Sequence, residues 1–289
     1  MILTVAGLSL QIVGENAHFS YNYSPCHDKF LTYCDELITT DTSRLTRLSL
    51  ELEDTPDSPQ TQLTELLCRN EIWELWRDGQ GQFVFTQPKQ EPQRWIFINP
   101  SFQHGKIVGD FYGRSNGLDY PLQYIDIVIF SNWLSRFGDL ILHASGIALD
   151  GHGYCFIGES GAGKSTLVRD LANRNKLTVL GEDQIVLRKI EDCFMVYGTP
   201  WHETPEMCSP IGVPLKKIFF LNKNASKKLS TVRNFDAIVK ILQTAFYPVY
   251  RPEVLDGILA RLATLAGKVG FFELAYERGS DVLQEIVNA

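Results

Sequence analysis

The chain has 289 residues, long enough for one large domain or two small ones, with 44% of them apolar and 21% charged. That balance excludes disordered and fibrous classes. The net charge of −7 speaks against nucleic acid, whose backbone calls for clustered lysine and arginine, and Lys216-Lys217 with Lys227-Lys228 make a modest basic patch at best.

Residues 1–120 read mainly as strands and are expected to form one domain. "ILTVAGLSLQIV" and "RLTRLSLELE" alternate in part, and "QFVFTQ", "RWIFIN" and "KIVGDFYG" are short β-favouring runs between turn formers. The polar segment 53–62, "EDTPDSPQTQ", reads as a loop and as the best candidate for a mobile one. "LTELLCRNEIWELWRDG" is ambiguous, because its apolar spacing suits a helix and its aromatics suit a strand. A helix is expected over about 121–137, "PLQYIDIVIFSNWLSRF", with Pro121 in its first turn and apolar residues nearly all round, so that it lies buried between the two halves.

Residues 121–289 read as a second domain of mixed α/β character. "LILHASGIAL" is an alternating strand, "DGHG" a turn and "YCFIG" a second strand, which together make a β-hairpin. A helix "KSTLVRDLANR" follows, then strands at "KLTVLG", "QIVLRKI", "CFMVYG" and "LKKIFFLN". Helices are expected at about 234–246 and 253–266, then the strand "KVGFFELAY" and a short helix whose start Ser280 and Asp281 mark. The six cysteines, at 26, 34, 68, 155, 193 and 208, include no CxxC pair, and those at 155 and 193 lie in runs that read as buried strands. Reduced thiols in a cytoplasmic protein are therefore expected. Cys26, His27 and Cys34 lack a fourth ligand nearby and are set aside as a metal site. No secretory leader is visible, and the longest apolar stretch falls far short of the ~20 residues that cross a bilayer, so no membrane partner is expected.

The chemistry concentrates in "GESGAGKST". Gly158, Glu159, Ser160, Gly161, Ala162, Gly163, Lys164 and Ser165 match G-x-x-x-x-G-K-[ST] at every fixed position, and Thr166 follows. Glycines let successive backbone N–H groups turn inward around phosphate oxygens. Lys164 would reach the β- and γ-phosphates and the Ser165 hydroxyl would hold Mg²⁺, with the helix dipole adding to the anion site. A Mg²⁺-nucleotide site next needs a carboxylate at a strand end. Glu182-Asp183 follow "LTVLG" and suit a division of labour in which one holds the metal and the other takes a proton. His143 lies on the hairpin strand feeding the same region.

From His143 to Asp183 the chain resembles the catalytic core of the HPr kinase/phosphorylase family, with "LHASGIALDGHG", "GESGAGKST" and "LGEDQIVL" in family order. The resemblance implies a phosphoenolpyruvate carboxykinase-like P-loop fold, with ATP and Mg²⁺ as cofactors and His143 in the site. It also implies Glu182 in the place of the catalytic-base aspartate and Asp183 in that of the metal-binding one. Two positions depart from the pattern. The first acid is Glu, which moves the carboxylate by roughly 1.5 Å, and the family's downstream Glu-x-Arg-Gly-x-Gly run is replaced by "YGTPWHETPE" at 197–206. That replacement weakens the case for HPr itself as substrate, and the acceptor expected is a hydroxyl, a serine of a protein, peptide or small molecule. Trp201 and His202 are candidates for substrate recognition on a stiff exposed loop, and Arg251 is a candidate for transition-state charge. The first domain would then be a recognition module, and since relatives commonly assemble, a homo-oligomer is allowed for. The alternative is a nucleotide-binding switch with slow hydrolysis and no acceptor. A transporter-type ATPase is disfavoured because no "LSGGQ"-like signature occurs.

Overall fold

The computed structural model describes residues 1–14, 25–32, 46–55, 57, 59–89, 93–111, 120–122, 124–202, 204–223 and 228–289. They fall into two units, Met1–Phe130 and Ser131–Ala289. The first is built on β1 (Ile2–Val5), β2 (Leu8–Val13), β3 (Leu31–Thr32), β4 (Thr46–Asp54), β5 (Leu63–Arg69), β6 (Glu74–Asp78), β7 (Phe83–Thr86), β8 (Trp95–Ile98) and β9 (His104–Gly109), with a single-turn helix α1 (Pro25–Asp28). Its described strands form one nine-stranded sheet in the order β3-β1-β2-β4-β9-β8-β7-β6-β5. Leu8, Leu10, Leu48, Leu50, Phe85 and Ile107 are buried on it.

Local chemistry settles the ambiguous stretch in this unit. Asn70 Oδ1 accepts the N–H groups of Ile72 and Trp73, both at 2.8 Å, so a turn breaks any helix and "LTELLCRNEIWELWRDG" becomes the β5–β6 hairpin. The expected loop at 53–62 starts later, since β4 carries on through Asp54, and residues 56 and 58 of it lie outside the described residues. Cys34 also lies outside them, while His27 Nε2 pairs with Asp126 Oδ2 at 2.9 Å. Among the described residues no group of three His, Cys, Asp or Glu side chains could hold a metal ion.

The expected helix at 121–137 is shorter. It is α2, Asp126–Ser135, because Tyr124 has φ +65°, which an α-helix cannot contain. Pro121 therefore precedes the helix by several residues. Ile129, Phe130, Trp133 and Leu134 are buried along it, and the division between units, at 130/131, falls within it.

The second unit is mixed α/β. It contains β10 (Leu140–Leu149), β11 (His152–Ile157), α3 (Lys164–Arg174), β12 (Thr178–Gly181), β13 (Gln184–Ile190), β14 (Cys193–Tyr197) and a 3₁₀ turn at Pro205–Met207. After it come β15 (Gly212–Leu221), β16 (Leu229–Thr231), α4 (Asn234–Thr244), β17 (Ala245–Phe246), α5 (Pro252–Ala266), β18 (Gly270–Leu274) and α6 (Leu283–Asn288). Asp150 and Gly151, with φ of 50° and 76°, make the tight turn of the β10–β11 hairpin.

Two long strands organise this unit by changing partners along their length. The first half of β10 pairs with β13 and its second half with β11 and β12. Likewise β15 pairs with β14 at its start and with β11 and β18 further on. As a result β11, β10, β13, β14 and β15 close into a ring, and β18 and β16 extend it beyond β15. Cys155 is buried on β11 as expected, but Cys193, expected in a buried strand, stands exposed at the start of β14. Lys217 is no part of a basic patch. It is buried, and its ammonium donates to Ile286 O at 3.1 Å and Val287 O at 2.7 Å, carbonyls at the end of α6.

Candidate functional site

The phosphate-loop sequence lies between β11 and α3. Gly161 and Gly163 have φ of 77° and 98°, conformations that a side-chain-bearing residue adopts only with strain. At Gly158 a Cβ would stand 2.9 Å from the Ala162 Cβ, so the loop closes on itself only because that position is bare. Ala162 N–H donates to Glu159 O at 3.0 Å and shapes the turn. Lys164 opens α3 and folds back over the loop, donating to Gly158 O at 2.8 Å and, more weakly, to Glu159 O at 3.4 Å. Burial pulls this ammonium below its ordinary range, and the nearby charge of Asp183 opposes the shift. A bare-backbone cradle beneath a partly desolvated cation fits a polyphosphate, which would satisfy both.

The acids arrive through the partner change in β10. His143 is the last residue of β10 to pair with β13, opposite Gln184, and Gly146 pairs with Gly181 of β12. Glu182 and Asp183 form the bend between β12 and β13, beside His143. Ala144 N–H donates to Asp183 O at 3.0 Å, and the Ser145 hydroxyl donates to Glu182 O. Ser165 Oγ reaches that same carbonyl at 3.4 Å. The backbone of the bend is thereby pinned to β10, with a weaker tie to α3.

The two carboxylates point to different surroundings. Asp183 Oδ1 lies 3.1 Å from His143 Nδ1, with about half of its side chain exposed, and His143 Nε2 lies 3.2 Å from Lys164 Nζ. An ammonium can only donate, so Nε2 accepts, Nδ1 carries the proton, and Nδ1–H donates to Asp183. Lys164, His143 and Asp183 thus form one hydrogen-bonded chain. Glu182 is held elsewhere. Its Oε2 accepts from Arg169 Nε at 3.0 Å and Nη2 at 2.7 Å, and its Oε1 accepts from Thr204 Oγ1 at 2.9 Å. The Glu182 side chain is 7% exposed against 49% for Asp183. The carboxylate expected to take a proton therefore has both oxygens occupied, and the one expected to hold metal is the one presented beside the loop.

Trp201 and His202 do not stand on the exposed loop that the sequence suggests. His202 is buried with its ring against Gly181, where a Cβ would lie 2.7 Å from Nε2. Thr199 gives its hydroxyl proton to Gln184 O at 2.8 Å, and its oxygen lies 3.1 Å from His202 Nε2, which then donates. Burial pushes the His202 ring down to about 4, against the pull of Asp183 and Glu182. Trp201 is half-buried, and Glu203 lies outside the described residues. Arg251 sits at the start of α5 with Nε 2.9 Å from Glu253 Oε1, an ion-pair role. Sequence reading missed Arg169 and Thr204, although Arg169 is one helical turn beyond Ser165 and Thr204 stands within the segment already singled out.

No family model matches the chain, and no curated protein matches it. Among solved structures it is similar to the HPr(Ser) kinase/phosphatase from Coxiella burnetii, at 14% identity and a TM-score of 0.34, over 51% of this chain and 88% of that one.

Proposed function

We propose that the chain is a Mg²⁺-ATP-dependent phosphotransferase acting on a hydroxyl, in which the hydrogen-bonded chain Lys164–His143–Asp183 faces the transferable phosphoryl group. That chain, ending on a glycine cradle, is the observation that carries the reading. Lys164 would clamp phosphate oxygens and lose its hold on Gly158 O, while Ser165 and Asp183 would hold Mg²⁺. The metal, when bound, supplies charge neutralisation across the phosphates. His143, bridging Lys164 and Asp183, orients the carboxylate and can pass a proton along the same line. The acceptor is a serine-type hydroxyl of a protein, peptide or small molecule, and Asp183 replaces Glu182 as the carboxylate within its reach.

A second reading, a nucleotide-binding switch without an acceptor, is favoured by one feature, the occupation of both Glu182 oxygens by Arg169 and Thr204. One experiment separates the two. Purified protein is given γ-labelled Mg²⁺-ATP with a desalted lysate, and separately with small hydroxyl compounds including free serine. The phosphotransferase reading expects a labelled acceptor that persists with Glu182→Gln and falls by about a hundredfold or more with Lys164→Ala and with Asp183→Asn. Tight nucleotide binding with no labelled acceptor in any fraction supports the switch.

A further inference from the structure

Strands β11, β15 and β18 run parallel, and their carboxyl ends, Ile157, Leu221 and Leu274, lie side by side. In open and closed α/β sheets alike, ligands settle outside the carboxyl ends of parallel strands. Here the chain leaves β11 into the phosphate loop and leaves β15 into Asn222-Lys223. Between them and α4 lies a cavity of about 500 Å³, within the range of small-molecule sites. One wall is the loop from Gly158 to Ala162, the floor is Phe220 and Leu221, and the far wall carries Lys240 and Gln243 of α4. Glu273 of β18 completes it. Lys223 ties the cavity to the far end of the loop, its Cε 3.9 Å from where a Cβ on Gly163 would stand.

The cavity and the proton-handling groups flank the loop separately, since neither His143 nor Asp183 lines it. A hydroxyl acceptor must reach the group that takes its proton, so this cavity is the wrong place for it. Its chemistry suits the other end of the donor. Asn222 Nδ2 donates to Glu273 Oε1 at 3.1 Å, and Lys240 Nζ lies 3.8 Å from the same oxygen. Both contacts use Oε1 and so fix the orientation of the carboxylate at the rim of a half-open site. A fixed carboxylate can accept from an exocyclic amine while a side-chain amide N–H beside it donates to a neighbouring ring atom, the pattern of an amino-purine edge. Lys240 also lies over the Phe220 ring, 5.1 Å from its centroid, which places positive charge over the cavity floor.

We infer that this cavity, through Glu273 and the amide of Gln243, binds the amino-purine end of the nucleoside triphosphate whose phosphates the loop cradles. The inference rests on reading the loop as a nucleotide cradle, and it adds which part of the ligand goes where and which side chains select it.

The test is titration calorimetry on the full chain with Mg²⁺ and, in turn, ATP, GTP, inosine triphosphate and inorganic tripolyphosphate. ATP or GTP is expected to bind about tenfold or more tighter than tripolyphosphate, and inosine triphosphate, which has no exocyclic amine, should lose most of that margin. Glu273→Gln should cut the affinity for the preferred purine about tenfold and leave tripolyphosphate unchanged. Gln243→Ala, at an exposed helix position, should do so more mildly without risk to folding. Equal affinity for tripolyphosphate and both purine nucleotides, or purine affinity untouched by both variants, overturns the proposal and leaves the phosphate cradle standing. Failure of all four ligands to bind removes the cradle reading itself, and the proposal with it.

Discussion

Glu182 and Asp183 are adjacent in sequence, yet the structure gives them opposite circumstances. The pair "ED" announces two acids at a strand end, but which one is presented depends on Arg169 thirteen residues before Glu182 and on Thr204 twenty-two after it. Nothing local encodes that, so the residues read by themselves leave the division of roles between the two acids open. The partnership is also asymmetric. Arg169 is half-exposed and can return to water, whereas Glu182 is buried. Removing the arginine should therefore cost more than removing the acid's charge. Arg169→Met is expected to destabilise by roughly 1–3 kcal/mol and Glu182→Gln by about half as much, read from urea unfolding of the two variants. The reverse order would mean that Glu182 is not held as described. His202 offers a pH signature. Its folded value, about 4, lies below the ordinary value of about 6.5, so the unfolded chain binds the proton more readily between the two. Its contribution is present above pH 6.5 and is lost as pH falls toward 4. Between pH 7 and 5 the loss is about 2 kcal/mol. His202→Gln should show a flatter acid limb than wild type in melts at those two pH values.

Elements were more legible than pairings. Helix α3 begins at Lys164, as the motif requires, because Gly163 takes a left-handed φ of 98° that no α-helix contains and the residues after it alternate on a helical period. The β10–β11 hairpin was legible from its Asp-Gly turn. What the sequence does not show is that β10 and β15 each serve several partners, since periodicity reports which face is buried and not which neighbour buries it. Asp139, just before β10, illustrates the consequence. Its carboxylate lies 3.0 Å from Arg188 Nε of β13 and 3.3 Å from Arg261 Nη1 of α5, and it accepts Lys189 N–H at 3.1 Å. It is a buried junction of three elements, invisible as such in "FGDLIL". Asp139→Ala takes the carboxylate away from two arginines, one of them nearly buried, and the acceptor away from the Lys189 N–H. A loss of about 3–5 kcal/mol is expected, seen as a drop in melting temperature. A change under about 1 kcal/mol would show that the junction contributes little.

At the scale of the whole chain, the sequence anticipated a mainly β part followed by a mixed α/β part, and each unit has that character. The mixture was readable because short β-favouring runs between turn formers dominate the first part, where one stretch alone was ambiguous, while clear helical periods come afterwards. Among the described residues no helix is long and apolar enough to cross a membrane. In the second unit the closed ring has a kinetic meaning. Strand β11 is hydrogen-bonded along both edges, Tyr154–Ile157 facing Ala144–Ile147 on one side and Lys217–Phe220 on the other. Its amides should be among the last in the molecule to trade hydrogen for deuterium, opening only when the whole unit unfolds. On the proposed reading, the loop that follows should exchange within seconds and slow when nucleotide is added, a contrast that Lys164→Ala should abolish. A nucleotide bound as proposed would have only a few residues to order, because the strand that carries the loop is hydrogen-bonded along both edges.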